Sequence, residues 1–359
     1  HPVAHSFPTR RSSDLVVVQR EYAGAALDEA VARSNELVAR RQAQAASKTP
    51  AEKAAYFTAY IRARMDEQLK LVPKYYVNDR PLFVNIEFTA HYLAALAYKY
   101  AATGDHAVVD EVRRLQEGVL AMDRANGLDG YLPFKGKVEH GRFTIVRNEA
   151  HANVYTQLLF AYAALYRLVP DDAVRDHVRR HVGMIIDHFR KHDFNLHDNH
   201  GNEVEYSDLS PRRFTLQHNR QLALLVMVDV GLACLHRDDR RHAALLRLRH
   251  RLLHKYDYAE AVQKQRAEVF GLHFPTHSSS WLNMLNFYTG MTLTNDACYR
   301  RGFDRLYAHY AAEQNPLYDL MRLLTHQVDL SRASALVRRV RHYLETFPLV
   351  LTRDRKSVV

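Results

Sequence analysis

The sequence predicts an all-α fold, an (α/α)6 toroid in which six helical hairpins supply an inner and an outer ring of helices. Three observations support this prediction: an apolar helix followed by a charged helix recurs along the chain, a short turn ending in Asp joins each pair, and the turns are evenly spaced. Asp105, Asp172 and Asp239 follow one another at intervals of 67 residues, and Asp296 comes 57 residues later. A fixed period of helix pairs is typical of a repeat architecture.

The individual helices are predicted from apolar residues at helical spacing, as in Tyr155, Leu158, Leu159, Tyr162 and Leu165. The predicted pairs are 22–46 and 50–70, 85–103 and 105–122, 150–169 and 172–192, 213–236 and 239–255, 280–294 and 296–314, and 316–328 and 330–346, with a further short helix at 257–268.

The two helices of each pair differ in polarity. Segments 153–168 and 220–235 are apolar nearly all round, whereas 173–189 and 240–256 are half charged. A helix that is apolar on every side is buried, and a striped helix is peripheral. The first helix of each pair is therefore predicted to be the inner, more buried one. An open solenoid is the alternative arrangement.

The connections predict where function lies. Turns within pairs are short, whereas the segments between pairs are mostly long: 71–84, 123–149, 193–212 and 256–279. The long loops must share one rim and lead into the N-termini of the inner helices, where free N–H groups favour anionic ligands. Long loops on a rigid scaffold usually carry function. The predicted site is this rim and the cavity beneath it.

Composition restricts the partners. The chain has 359 residues, 47% of them hydrophobic, and a formal charge of +10. No apolar run approaches the ~20 residues of a membrane span, so no membrane partner is expected. Paired arginines at 113–114, 179–180, 300–301 and 338–339 are interpreted as the solvated faces of outer helices, not as a nucleic-acid surface. Cys234 and Cys298 fit neither a disulfide framework nor a zinc site.

The two ends of the chain read as translated sequencing adapter. The codons of Asp354–Val359, taken from the opposite strand and shifted in frame, give Thr9–Asp14. Residues 1–15 and 354–359 are therefore expected to be artefactual tails on a single toroid domain at 16–353. The compartment, cytoplasmic or periplasmic, stays open.

The helix-pair rhythm, the turns with Asp and the segment Asn195–Tyr206 resemble those of the six-hairpin, (α/α)6-toroid superfamily of carbohydrate-active proteins. The resemblance is architectural and covers about residues 22–346. It implies an enzyme of the glycoside hydrolase or polysaccharide lyase kind that acts on a glycan, or another small polar substrate, in the toroid cavity. Sugar epimerases share this architecture. No catalytic signature of a named family matches, so the resemblance assigns no residue.

Candidate site residues lie where the inner helices begin. Helix capping explains Asn85 and Asn148, but it does not explain His151, Asn153 and His218, because these lie in the first turns of buried helices. We predict catalytic roles for Glu149, His151, Asp129 and His218, and substrate binding by Asn153, Tyr155, Asn219, Arg220, Glu87, His91, Trp281 and Asn283.

Two kinds of chemistry remain open. Hydrolysis needs two carboxyl groups across the scissile bond; Glu149 is the first choice and Asp129 the second, with Glu87, Asp198, Glu203, Glu205 and Asp208 as further candidates. Elimination needs a His or Tyr base with Asn or Arg beside a uronate carboxylate, which His151, Asn153, Tyr155, His218 and Arg220 would supply. A non-catalytic helical-repeat protein that binds glycan or peptide is the alternative function.

No metal or cofactor is expected. Asp198–Glu203 lacks the ligand order of an EF-hand and is predicted to be a β-hairpin turn around Gly201. Asp171, Asp172 and Asp176 resemble the aspartate-rich motif of terpene cyclases, but no companion motif follows. Phosphate-loop, nucleophile-elbow and zinc motifs are absent from the sequence.

Overall fold

The computed structural model describes residues 47–65, 70–77, 80–133, 135–139, 142–147, 150–204, 209–210, 218–255, 268–269, 272–273, 277–327 and 329–347, with positions 32, 36, 39, 40 and 43. The chain divides into two compact units, 1–60 with 329–359, and 61–328. Both predicted adapter tails and most of the predicted helix 22–46 lie outside the described residues.

The first unit contains most of helix α1 (Pro50–Arg62) and helix α11 (Leu330–Thr346). The ammonium group of Lys53, a buried residue, donates hydrogen bonds to the carbonyl oxygens of Leu344, at 3.1 Å, and Glu345. These carbonyls lie in the last turn of α11, where the helix has no backbone donors left for them.

The second unit contains the remaining described helices. They are α2 (Ile86–Thr103), α3 (Ala107–Arg124), α4 (Ala152–Leu168), α5 (Asp172–Lys191), α6 (His218–Cys234), α7 (Arg240–His254), α8 (His277–Leu293), α9 (Ala297–His309) and α10 (Pro316–Thr325), with a 3-10 turn at Ala311–Glu313.

Two layers of helices form this unit. In the inner layer α2 packs on α4, α4 packs on α6 and α8, and α8 packs on α6. The outer helices α3, α5, α7 and α9 each pack on the inner helix that precedes them in the chain. These relations confirm the predicted fold class, an all-α fold of the (α/α)-toroid type built from helical hairpins.

The predicted difference in burial is confirmed for three of the four hairpins in the second unit. In α6 every residue from 222 to 231 is buried, whereas α7 buries only Leu245, Leu248 and Leu252. The hairpin of α2 and α3 departs from the prediction: ten of the 18 residues of α3 are buried, against eight of 18 in α2. Phe88 and Ala95 of α2 are exposed, so this inner helix is covered on fewer sides.

The aspartates of the turns cap the outer helices. Asp171 accepts a hydrogen bond from the Val174 amide at 2.9 Å, Asp239 from Arg241 at 2.8 Å, and Asp296 from Cys298 at 3.2 Å. An N-cap side chain satisfies a backbone donor that the helix itself leaves unpaired, and is worth about 1 kcal/mol. The recurring Asp in the sequence is therefore a helix start signal.

Arginines of the preceding outer helix bind two of these caps. Arg113 of α3 lies 2.6 Å from Asp171, and Arg249 of α7 lies 2.8 Å from Asp296. Burial alone would raise the pKa of Asp296, but the hydrogen bonds from Arg249 and Cys298 outweigh it and lower the pKa. One set of aspartates thus starts the outer helices and links consecutive hairpins.

Two of the long connections contain strands that the sequence analysis did not predict. They are β1 (Pro73–Val77), β2 (Arg80–Val84), β3 (Lys135–Glu139) and β4 (Arg142–Arg147), which form one antiparallel sheet in chain order. The pairing of Val84 with Gly136 joins the two connections that lead to α2 and α4. Strands of five or six residues with irregular register show too little alternation of apolar and polar residues to be recognised in the sequence.

A third long connection contains a second, smaller sheet, in which β5 (Glu268–Val269) pairs with β6 (Leu272–His273). The short helix predicted at 257–268 lies outside the described residues except at Glu268, where β5 begins.

Candidate functional site

Polar side chains meet where the inner helices α2, α4 and α8 begin. Each hairpin returns the chain, so these helices run in the same direction and their first turns lie at one end of the layer. We call this group the inner-helix site; its residues are Glu87 and His91 of α2, Asn153 and Gln157 of α4, and Trp281 of α8.

His91 and Trp281 are the centre of the inner-helix site. Their ring centroids lie 5.7 Å apart with the planes tilted by 44°, which brings α2 and α8 together. Burial lowers the pKa of His91, and a hydrogen bond with Gln157 and the charge of Glu87 only partly offset this effect. His91 is therefore a neutral imidazole at neutral pH.

The Gln157 amide completes the site, whereas Asn283 follows Trp281 by two residues, about 200° of helix rotation, and lies on another face of α8. The Gln157 side chain donates a hydrogen bond to the Asn153 carbonyl oxygen at 3.2 Å. Asn283 is only 6% exposed, and its amide oxygen has no hydrogen-bond partner among the described residues. A buried polar atom without a partner is costly and is often explained by a ligand or water that the protein expects.

A tyrosine pair lies two helical turns deeper. The hydroxyls of Tyr98 in α2 and Tyr288 in α8 are 2.6 Å apart, and the Phe160 ring of α4 packs against Tyr288 at 6.1 Å. Burial raises the pKa of both tyrosines. The sequence analysis did not select Gln157, Tyr98 or Tyr288, although the tyrosines follow His91 and Trp281 at the same seven-residue interval.

The structure places Asp129, predicted as a catalytic carboxylate, at the surface, and its catalytic role stays a prediction. Its side chain is 70% exposed and lies 3.9 Å from Arg124 of the outer helix α3. The buried carboxylate near this turn is Asp123, which accepts a hydrogen bond from the Gly130 amide at 3.0 Å. A turn sequence such as 126–131 does not reveal which of its flanking acids faces inward.

Tyr155, predicted as a substrate-binding residue, holds a loop in the structure. Its hydroxyl donates to the Gly130 carbonyl at 3.1 Å and accepts from the Leu132 amide at 2.9 Å, and its ring meets Phe189 edge-on at 4.9 Å. The side chain is fully buried, so it anchors the loop that follows α3.

Several predicted residues are only partly described. Glu149 lies outside the described residues, and so do the side chains of His218 and Asn219. His151 is half-buried at the N-cap of α4, where its side chain makes no capping hydrogen bond. Arg220 is half-buried in the first turn of α6. The catalytic roles of Glu149, His151 and His218 therefore stay predictions.

Two predictions of local structure are confirmed. Asn85 caps α2, because its side chain accepts a hydrogen bond from the Glu87 amide at 2.6 Å. Asp198 accepts hydrogen bonds from the His200 and Asn202 amides, both at 2.9 Å, in a hairpin turn around Gly201. Within the described part of the chain, no group of three His, Cys, Asp or Glu residues is placed to hold a metal.

A buried triad links the two helix layers, and no sequence signal indicated it. The Tyr162 hydroxyl of α4 lies 2.6 Å from His181 Nδ1 of α5, and His181 Nε2 lies 2.7 Å from Asp123 of α3. All three side chains are at most 1% exposed, so the triad serves as a structural contact between the layers. A second such network joins Tyr299, Asp229 and Arg249 through two hydrogen bonds of 2.6 Å.

No family model and no curated protein matches this sequence. Among solved structures, the chain is similar to a cellobiose 2-epimerase from Bacillus thermoamylovorans B4167, with 14% identity and a TM-score of 0.43, over 72% of this chain and 67% of that one. This likeness is too distant to bear on the site. In the part of the chain that the structure describes, no helix is long and apolar enough to cross a membrane.

Proposed function

We propose that this chain is a carbohydrate-active enzyme of the lyase kind, which removes a proton from a sugar bound at the inner-helix site. The observation that carries the proposal is the contact between His91, whose pKa burial lowers, and the half-buried Trp281. A general base must be unprotonated at the working pH, and aromatic faces pack well on the apolar faces of sugars.

The polar groups around His91 favour elimination over hydrolysis. Hydrolysis of a glycosidic bond needs two carboxyl groups, and Glu87 is the one carboxylate in the described first turns of α2, α4, α6 and α8. Gln157 offers an amide group to sugar hydroxyls. The site therefore offers a neutral imidazole base together with hydrogen-bonding side chains.

The proposed step is a β-elimination on a uronate. His91 takes the proton next to the carboxylate, the electron pair of that C–H bond forms a carbon–carbon double bond, and the C–O bond on the next carbon breaks. The leaving oxygen takes up a proton. Arg220, in the first turn of α6, is our candidate for binding the uronate carboxylate.

The test compares His91→Gln with His250→Gln, an exposed histidine of the outer helix α7, on uronate-containing polysaccharides. We expect His91→Gln to lower kcat/KM at least about 100-fold, the usual size of general-base catalysis. The unsaturated product is followed by its ultraviolet absorbance, and His250→Gln should leave the rate unchanged. The acid limb of the wild-type pH–rate profile should lie below about 6.5, the ordinary histidine value.

Other outcomes would contradict the proposal in distinguishable ways. Full activity in His91→Gln would remove His91 as the base. Release of reducing sugar without the unsaturated product would indicate hydrolysis and make Glu149 the residue to replace next. Saturable glycan binding without turnover on any substrate would favour a binding protein.

A further inference from the structure

The outer helices α3, α5 and α7 enclose a cavity of about 310 Å³ that the proposed function does not use. The side chains lining it are mostly basic: Leu120, Arg124, His177, Arg180, His181, Met184, Asp187 and Arg241. We propose that this cavity, which we call the outer cavity, binds the phosphate group of a small ligand such as a phosphate monoester.

His177 supplies the first argument. Its side chain is 7% exposed, it lines the outer cavity, and its Nε2 has no hydrogen-bond partner among the described residues. The neighbouring rings cannot serve it, because the Tyr162 hydroxyl and both nitrogens of His181 are already engaged in the buried triad. A ligand in the cavity would give this buried nitrogen its partner.

The charges around His177 supply the second argument. Arg124, Arg180 and Arg241 line the outer cavity, against the single carboxylate of Asp187. Burial lowers the pKa of His177 to about 3, and the positive charges of Arg180 and Arg124 contribute to the shift. The positive potential that disfavours protonation of His177 also favours a bound anion at the same place.

Arg241 is held in position on the cavity wall. A Cβ atom at Gly183 would lie 1.9 Å from Arg241 Nη1, so a side chain at this position would displace the guanidinium. Arg241 Nε lies 2.8 Å from Asp239, and Arg241 Nη1 lies 3.6 Å from Asp187. Gly183 thus gives the guanidinium room to lie against α5, where it faces the outer cavity.

Arg180 is the arginine most available to a ligand. It is exposed, and no ion pair of Arg180 occurs among the described residues. Guanidinium groups bind phosphate oxygens in a bidentate manner. Arg124 lies 3.9 Å from Asp129 and Arg241 lies 2.8 Å from Asp239, so Arg180 would make the main contact with the phosphate. The cavity volume lies at the small end of ligand pockets, which suits a phosphate monoester rather than a polymer.

Calorimetric titration with inorganic phosphate and with glucose 6-phosphate, at pH 7.5 and low salt, tests the proposal. We expect saturable binding of both, and about tenfold weaker binding in Arg180→Gln, which loses one charge-assisted contact. Arg190→Gln is the matched control, since it removes the same charge from an exposed position of α5 about 15 Å along the helix. Asp187→Asn should strengthen binding severalfold, because it removes the carboxylate that opposes the anion.

Three results would overturn the proposal: no saturable binding up to millimolar phosphate, equal weakening in Arg180→Gln and Arg190→Gln, or weaker binding in Asp187→Asn with its fold intact by circular dichroism. Glucuronate binding as tightly as glucose 6-phosphate would overturn the assignment to phosphate. These binding measurements need no catalytic activity, so their outcome does not depend on the proposed function.

Discussion

His91 and His181 lie in helices of adjacent layers. Their surroundings show how a histidine of a candidate site differs from a histidine that only links helices. Both nitrogens of His181 are engaged, at 2.6 and 2.7 Å, and the side chain is 1% exposed. His91 is half-buried beside a half-buried tryptophan. The triad of Tyr162, His181 and Asp123 has the residue types of a catalytic relay, yet access favours His91 as the catalytic residue.

Replacing the two histidines gives the largest expected difference. His181→Ala leaves the Asp123 carboxylate buried without its strongest partner, and breaking a buried pair in this way costs about 3–5 kcal/mol of unfolding free energy. His91→Ala should cost about 1 kcal/mol, because its position is partly open to water. Urea unfolding followed by circular dichroism measures both. Equal costs would mean that His91 is as structural as His181.

The pH dependence of stability sharpens the comparison for two other histidines of α5. Burial lowers the pKa of His177 to about 3 and that of His188 to about 4. Between pH 6.5 and 5 the unfolded chain therefore binds protons that the folded chain does not, and stability falls as pH falls. Each of the two histidines contributes about 1.6 kcal/mol, so the expected loss over this window is about 3 kcal/mol.

Urea unfolding at pH 7, 6 and 5 in phosphate-free buffer measures this loss. The double variant His177→Gln, His188→Gln should show a flatter profile, since it removes both groups. If the wild-type protein became more stable as the pH fell from 6.5 to 5, the predicted direction of the pH dependence would be contradicted.

The hairpins were predictable from the sequence because their signals are local. Helical spacing and the turn aspartates depend on neighbouring residues, and the structure assigns those aspartates the capping role that their position suggests. The interlayer triad was not predictable, since Asp123 and His181 are 58 residues apart and meet only through the packing of α3 on α5. For the candidate site, His91, Glu87, Trp281 and Asn283 were predicted, but which of them touch depends on helix register.

Tyr155 shows that a residue's position along an inner helix does not determine which neighbours its side chain contacts. It lies on the inner helix α4, two residues after Asn153, and yet it points to the loop at 128–132. We expect Tyr155→Phe to cost about 1–2 kcal/mol, because the Leu132 amide and the Gly130 carbonyl lose their shared partner. Turnover per folded molecule should not change. Thermal unfolding and an activity assay check this, and a selective loss of activity would return Tyr155 to the site.

The smallest expected effect concerns Asp129, the acid that the sequence placed in the active site. Its carboxylate is 70% exposed and 3.9 Å from an equally accessible arginine, and exposed pairs of this kind contribute about 0–1 kcal/mol. Asp129→Asn should therefore change stability by less than about 0.5 kcal/mol and leave kcat/KM unchanged. Asp123→Asn, six positions earlier, is the matched comparison, because the same isosteric change there disturbs the hydrogen bonds to His181 and Gly130. Loss of turnover in Asp129→Asn, with unchanged stability in Asp123→Asn, would contradict this assignment. Asp129 would then be the functional acid, and the solvent exposure of a side chain would be a poor guide to its function at this end of the fold.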